Sequence, residues 1–237
     1  MPDLYLDIAN QPDRAVEAIA AAMETRAADP AMQAICRDYM MGSGLAPRGR
    51  ILEIGSGGGA TTRLILDNLS PRELVGVDPS HKLVKLARET LSGDPHVSFC
   101  VGDAGATGAE AESFDAVIAH TVYSHLADAD AALAEAHRVL RSGGRLVVFD
   151  GDYATITVAL YENDPLETLV DAVRRNMVHA PYVMRSLPAR VARAGFGDIR
   201  TAAHGYVQNE DPAYLVSLLS RGADGAVAAG EIGPELA

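Results

Sequence analysis

Cysteine is nearly missing from this chain, basic residues are outnumbered, and no uncharged apolar run approaches the ~20 residues needed to cross a bilayer. Each shortage excludes something. Cys36 and Cys100 are too few for a disulfide framework and lack the paired spacings of structural zinc, which fits a reducing cytoplasm. Lys and Arg number 20 against 32 Asp and Glu, a formal net charge of -12, which is the wrong sign for a protein that must neutralise phosphates along DNA or RNA. A small-molecule partner is the default that remains. The opening "MPDLYLDIAN" has neither a basic n-region nor an apolar h-region, so neither export nor membrane attachment is expected. Internal repeats and low-complexity tracts are absent too.

What is present is ample apolar content, 48% of 237 residues, enough for one domain with additions. From Arg50 onward, short β-branched runs alternate with helix-period segments, the pattern of a parallel sheet. The strand candidates are "RILEIG", "ELVGVD", "VSFCVGD", "FDAVIAH" and "RLVVFD", each apolar enough to be covered on both faces. Between them, "HKLVKLARETL" puts Leu83, Leu86, Ala87 and Leu91 on one helix face behind a Ser80 cap, and "DADAALAEAHRVLRSGG" ends in glycines able to close a helix. Two amphipathic helices precede the sheet, with Val16, Ile19 and Met23 in register in the first and Met32, Ile35 and Tyr39 in the second, and are expected over its ligand edge. Asp29-Pro30, Asp164-Pro165 and Asp211-Pro212 read as helix starts, and Asp164 with Glu167 as a capping box.

The fold class expected is therefore α/β, a Rossmann-like doubly wound sheet. Residues 1–49 form an N-terminal helical cap, 50–153 a ligand-binding core, 154–186 a helical insertion after the fifth strand, and 187–237 the rest of the core with terminal helices. In that last part, "SLPARVARAGF" reads as a short helix, "DIRTAAHGYVQ" as a sixth strand, and the segment from Asp211 as helical.

"ILEIGSGGGA" belongs at the carboxyl end of the first strand, where open α/β sheets bind ligands. Gly55, Gly57 and Gly59 permit positive φ and close approach to the main chain. The same letters fit the dinucleotide fingerprint G-x-G-x-x-A, so a nicotinamide enzyme stays in view. Glu53, two residues before Gly55, favours a cationic ligand over a pyrophosphate. Asp78 ends the second strand within reach of ribose hydroxyls. Asp103, after the third, could accept from an adenine amine. Each of these acids could instead be a turn cap or a solvated strand-end charge.

Taken together, "E-x-G-x-G-x-G", "VGVDPS", "GDA", "FDAVIAHTVYSHLADAD" and "VLRSGGRLVVFD" resemble the class I S-adenosylmethionine-dependent methyltransferases, in particular the ubiquinone and menaquinone methyltransferase-like group, closely over about Arg50 to Asp150. The resemblance implies S-adenosyl-L-methionine as cofactor. It implies that Glu53 with Gly55, Ser56 and Gly57 holds the methionine part, Asp78 and Pro79 the ribose, and Asp103 with Ala104 the adenine, while His120 and Thr121 line the methyl-donor side. It also implies a seventh strand inserted beside the fifth, and nothing after Asn209 alternates like one. An unpaired sheet edge invites association, so a homo-oligomer is expected.

Methyl transfer from a sulfonium is an in-line displacement whose main requirement is positioning. A hydroxyl acceptor that is not already acidic also needs a base, and histidine suits neutral pH. His120 and His125 follow the fourth strand, with Tyr123 between them. Where the family pattern has a histidine pair, "VYSHLAD" has Ser124 and then His125, so His125 could equally be tied into a turn, and Tyr123 could merely fill space. Asp150, Asp152 and Tyr153 stand where the acceptor is expected. They lack a third ligand at short spacing, so no metal is expected. In the insertion, His179, Tyr182 and Arg185 are acceptor candidates, Arg185 for an acidic or phenolate group, while Arg174 and Arg175 read as solvated. The leading expectation is a small-molecule methyltransferase, O- or N-methylation favoured. A non-methylating cyclase, decarboxylase or nucleoside-binding module on the same fold is the alternative, ahead of a nicotinamide-dependent oxidoreductase.

Overall fold

The computed structural model describes residues 3–45, 48–208 and 212–233. Helices α1 (Asp13–Ala28) and α2 (Pro30–Gly42) precede strand β1 (Arg50–Ile54). Then come α3 (Ala60–Leu69), β2 (Glu73–Asp78), α4 (His81–Thr90), β3 (Val97–Val101), β4 (Phe114–His120), α5 (Ala129–Val139) and β5 (Leu140–Phe149). The chain continues through α6 (Glu167–Asn176), α7 (Val183–Arg193) and α8 (Ala213–Ala228).

All five strands are parallel, in the order β3-β2-β1-β4-β5. Alternation within each strand divides the core into two layers. Leu52, Ile54, Val117 and Ala119 point to the face covered by α5 and α7, and Ile51, Ala116 and Ile118 to the face covered by α2 and α3. Glu53 shares the parity of Ile51 and so points toward α3. The strand order reverses at β1, between β2 and β4, and the tips of these strands are where such sheets open to ligands.

Several local expectations hold at atomic detail. Asp29 accepts from the amides of Ala31 and Met32 at 2.8 and 3.0 Å to start α2, and Ser80 accepts from Leu83 to start α4. Val16, Ile19, Met32 and Ile35 are buried as their spacing requires. Asp211 lies outside the described residues.

Others need correction. The helix before β5 ends at Val139, not at the glycines, because Leu140 already pairs with Phe114; Gly143, at φ +77°, serves an irregularity within β5. On α4, Val84 is buried where Leu86 was expected. The capping box does not form. Asp164 accepts from the amides of Leu166 and Leu160, and Glu167 turns away to bond Thr157, Val158 and Ala159. Helix α7 starts and ends three residues earlier than the 186–196 expected. The sixth strand is the largest discrepancy: residues 198–208 carry no strand hydrogen bonding. The segment still runs near β5, with Arg145 beside Asp198 and Phe149 beside His204, and it alternates in burial through His204, Tyr206 and Gln208.

Candidate active site at the strand tips

Glu53 is 1% exposed. Thr62, one turn into α3, donates to its Oε2 at 2.6 Å, while Oε1 has no partner among the described residues. Burial, and to a lesser extent the neighbouring Asp78, push the Glu53 carboxyl up to about 8 against the pull of Thr62. Asp78 is buried beside it and accepts from the amides of Gly57 and Ser80 at 3.0 and 2.9 Å, and burial raises its pKa as well. Ser56 Oγ is another buried oxygen with no partner among the described residues. Unpartnered buried acceptors are costly, and a carboxylate pair this enclosed calls for a donor-rich, cationic guest.

The glycine loop is packed by the chain itself. Gly55 has φ +71°, and a Cβ there would lie 2.4 Å from Val122. Gly57 has φ +53°, and a Cβ there would lie 2.7 Å from Met23 Sδ. Helix α1 therefore lies directly over the loop, as its register implies, with Asp13 pairing with Lys82 on α4 and Glu24 with Arg63 on α3.

Beyond β4, His120 is fully enclosed. Its Nδ1 is 2.9 Å from Tyr39 Oη, its ring stacks on Phe149, and burial together with Arg26 keeps its pKa well below the usual histidine value. Thr121 takes a left-handed φ of 54°, and its amide donates to Phe149 O at 2.7 Å. Tyr123 is wholly buried in the β4–α5–α7 core, which makes it a packing residue, and burial raises its phenol. His125, in the same turn, is part-buried. Its Nδ1 is 2.6 Å from Asp3 Oδ2, and its ring lies 4.3 Å from that of Tyr5 and 6.4 Å from that of Tyr153.

Asp150 accepts from the amide and hydroxyl of Ser124, both at 2.9 Å, and from the amide of Gly151, so it ties the two strand ends together. Asp152 pairs with Arg185 at 2.9 Å, and that guanidinium lies over the ring of Tyr182. The amide of His179 donates to Asp3 at 2.9 Å. Asp103 is exposed and closes its own turn through the amide of Gly105, next to buried Ala104; Pro79 is part-buried after Asp78. Among the described residues, no group of three or more His, Cys, Asp or Glu could hold a metal ion. No helix of the described residues is long and apolar enough to cross a membrane.

Residues 52–148 match the family model of the methyltransferase domain, a span that begins just before Glu53 and ends one residue short of the end of β5. Over these residues the chain is similar to methyltransferase domains. Among curated relatives, a malonyl-[acyl-carrier protein] O-methyltransferase of Geobacter sulfurreducens is 29% identical over 187 residues, covering 75% of this chain and 67% of that protein. A demethylmenaquinone methyltransferase of Renibacterium salmoninarum is 29% identical over 151 residues, 64% of this chain and 55% of that protein. The chain spans about half the length of several curated relatives it matches. The solved structure of phosphoethanolamine N-methyltransferase 2 from Haemonchus contortus with S-adenosyl-L-methionine aligns with a TM-score of 0.64 at 20% identity, over 98% of this chain and 52% of that one, a likeness of fold. The cofactor of such a methyltransferase domain is S-adenosyl-L-methionine, which decides against the nicotinamide alternative.

Sequence reasoning missed Thr62, Asp3 and Tyr39 as partners of site residues. Only Thr62 carried a signal, being a polar residue on the inward face of a helix directly after the loop. Asp3 and Tyr39 reach the site from more than 80 residues away.

Proposed function

We propose that this chain transfers a methyl group from S-adenosyl-L-methionine to an oxygen or nitrogen of a small-molecule acceptor. The observation that carries the reading is the buried Glu53–Asp78 pair at the point where the strand order reverses, with Glu53 Oε1 and Ser56 Oγ unpartnered. Glu53, Ser56 and the loop from Gly55 to Gly57 would accept and cradle the ammonium end of the cofactor. The remaining lone pairs of Asp78, with Pro79 beside it, would take the ribose hydroxyls. Asp103 and Ala104 would flank the adenine, and His120 and Thr121 the donor side. The cofactor supplies an electrophilic methyl on a positively charged sulfur.

For the acceptor, the side chains of this chain provide orientation, exclusion of water and a proton sink. With Asp3 fixing the Nδ1 proton of His125, Nε2 is free to take the proton that the acceptor loses as its lone pair attacks the methyl carbon and the carbon–sulfur bond breaks. His120, held neutral with a depressed proton affinity, suits a lining role better than that of a base. Asp152, Tyr153, His179, Tyr182 and Arg185 border the same region. The malonyl and phosphoethanolamine relatives support O- and N-methylation as the first classes to assay, and the demethylmenaquinone relative keeps a quinone precursor in the panel.

The test is release of S-adenosylhomocysteine with an acceptor panel, alongside calorimetry. The expected result is binding of S-adenosylhomocysteine by the wild type, at least roughly tenfold weakened in Glu53→Gln through loss of a charge-assisted hydrogen bond, and turnover with at least one small acceptor. A folded protein without affinity for either form of the cofactor overturns the reading. Binding without turnover across the panel would move it to the non-methylating alternative.

A further inference from the structure

The loop between β3 and β4, which carries Asp103 and Ala104, rests on α5. The amide of Gly102 donates to Asp78 O at 3.2 Å and that of Ala106 to Asp103 O at 3.0 Å, while Asp103 Oδ1 accepts from the amide of Gly105 at 2.8 Å. Residues 102–107 thus fold into one tight turn whose ends touch: a Cβ on Gly102 would lie 3.1 Å from Thr107 O. A Cβ on Gly105 would lie 3.2 Å from that of Ala131 on α5. One helical turn further along the same face, Glu135 accepts from the amide of Thr107 at 2.8 Å and from its hydroxyl at 2.5 Å.

Glu135 is 7% exposed on a helix whose other buried residues are Ala129, Ala132, Leu133, Ala136 and Val139. A buried carboxylate is costly unless its oxygens are bonded. Arg138 supplies the remaining donors, Nε to Oε2 at 2.7 Å and Nη2 to Oε1 at 2.8 Å, and the same Nη2 reaches Ala109 O at 2.6 Å. Arg138 first, and then Thr107, hold the Glu135 carboxyl down at about 2 against the effect of burial, so it is ionised. An apolar side chain of similar volume would fill the same space. What the carboxylate adds is a fixed place for Thr107, and with it for Asp103 at the other end of the turn. We propose that Glu135 is a positioning residue for cofactor recognition: through Thr107 it sets the 102–107 turn so that Asp103 accepts from the exocyclic amine of adenine, which gives the site its preference for adenine over a 6-oxo purine. This deepens the methyltransferase reading and rests on it.

The test is calorimetry on the whole chain with S-adenosylhomocysteine and with S-inosylhomocysteine, in which an oxo group replaces the amine and turns a donor toward Asp103 into an acceptor. Wild type is expected to bind the adenine form roughly ten- to hundredfold more tightly, the range for a hydrogen bond to a charged group. Glu135→Leu should still bind S-adenosylhomocysteine but keep no more than about threefold preference, and Thr107→Val, which removes the hydroxyl bond and leaves the amide bond, should cut the preference at least about threefold. Loss of stability alone does not move this ratio, so Val139→Ala, a cavity in the core beneath the same helix, is expected to keep it. A folded Glu135→Leu with the wild-type ratio overturns the proposal. If that variant does not fold by circular dichroism, an unchanged ratio in the nearly isosteric Thr107→Val overturns it instead. Wild type that binds S-adenosylhomocysteine no more tightly than its analogue, or Val139→Ala that loses the preference, overturns this proposal alone. Wild type that binds neither compound removes the methyltransferase reading, and this proposal with it.

Discussion

At the scale of single residues, burial decides the chemistry. Glu53 has its carboxyl raised from 4.5 to about 8, so the folded state holds a proton that the unfolded chain has released between those values. The sign follows: this group's contribution to stability is fully present below about pH 4.5 and is lost as pH rises through 8. Urea denaturation of the ligand-free protein should show stability falling across that window, and Glu53→Gln should remove that component. Binding of the cofactor ammonium favours ionised Glu53, so calorimetry at pH 7 in buffers of different ionisation enthalpy should register proton release in wild type and none from this site in Glu53→Gln. His125→Ala is expected to lower turnover by roughly 10²–10⁴, the usual worth of a general base, with S-adenosylhomocysteine affinity kept. A parallel loss of both would mean that His125 only braces the fold. Gly55→Ala combines a left-handed φ with a clash against Val122, and should cost roughly 1–3 kcal/mol in denaturant unfolding. Glu53, Asp78 and the loop glycines were legible because they lie at fixed offsets from strand ends, within one local pattern. Asp3 and Tyr39 were not, since no local rule states which distant side chain folds over a given strand tip.

Among the elements, caps and parity were the readable part. Asp29 starts α2 and also accepts from Gln208 at 2.8 Å, so Asp29→Ala should cost about 1 kcal/mol or somewhat more, measured by thermal unfolding. Helix α1 presents Met23 to Gly57 and Arg26 to Tyr214 from a single face, as an i, i+3 pair must. Hydrogen exchange of α1 amides is therefore expected to slow when S-adenosylhomocysteine binds beneath it; unchanged exchange with the ligand bound would separate α1 from the site. The 198–208 segment exposes the limit of pattern reading. Its alternation is real and is expressed as alternating burial, but a strand also needs a hydrogen-bonding neighbour at the right spacing. The outer side of β5 gives it none. The capping box failed for a related reason: Glu167 found better donors in the 157–159 loop, which no helix rule includes.

For the whole molecule, the outer edge of β5 has no strand partner among the described residues, and Val207 and Ile199 are exposed nearby. Exposed edges beside apolar side chains pair readily, so light scattering after size exclusion is expected to give a mass above that of one 24.9 kDa chain at high concentration. A single-chain mass under those conditions would count against the association. The sequence by itself determined the α/β class, the five strands, the glycine loop and the acids at the strand tips, because each follows from periodicity or from an offset within one βα unit; the cover expected on both faces of every strand fails at the edge strand β3, where Ser98, Cys100 and Val101 are exposed. Only the tertiary structure decided that Glu53 and Asp78 share one enclosed space, that Tyr123 is core, that Asp150 is occupied by Ser124, and that Arg26 on α1 lies over the ring of Tyr214 on α8. Those facts depend on contacts between residues far apart in sequence, whose distances are set by how the layers pack and not by any local preference of the chain.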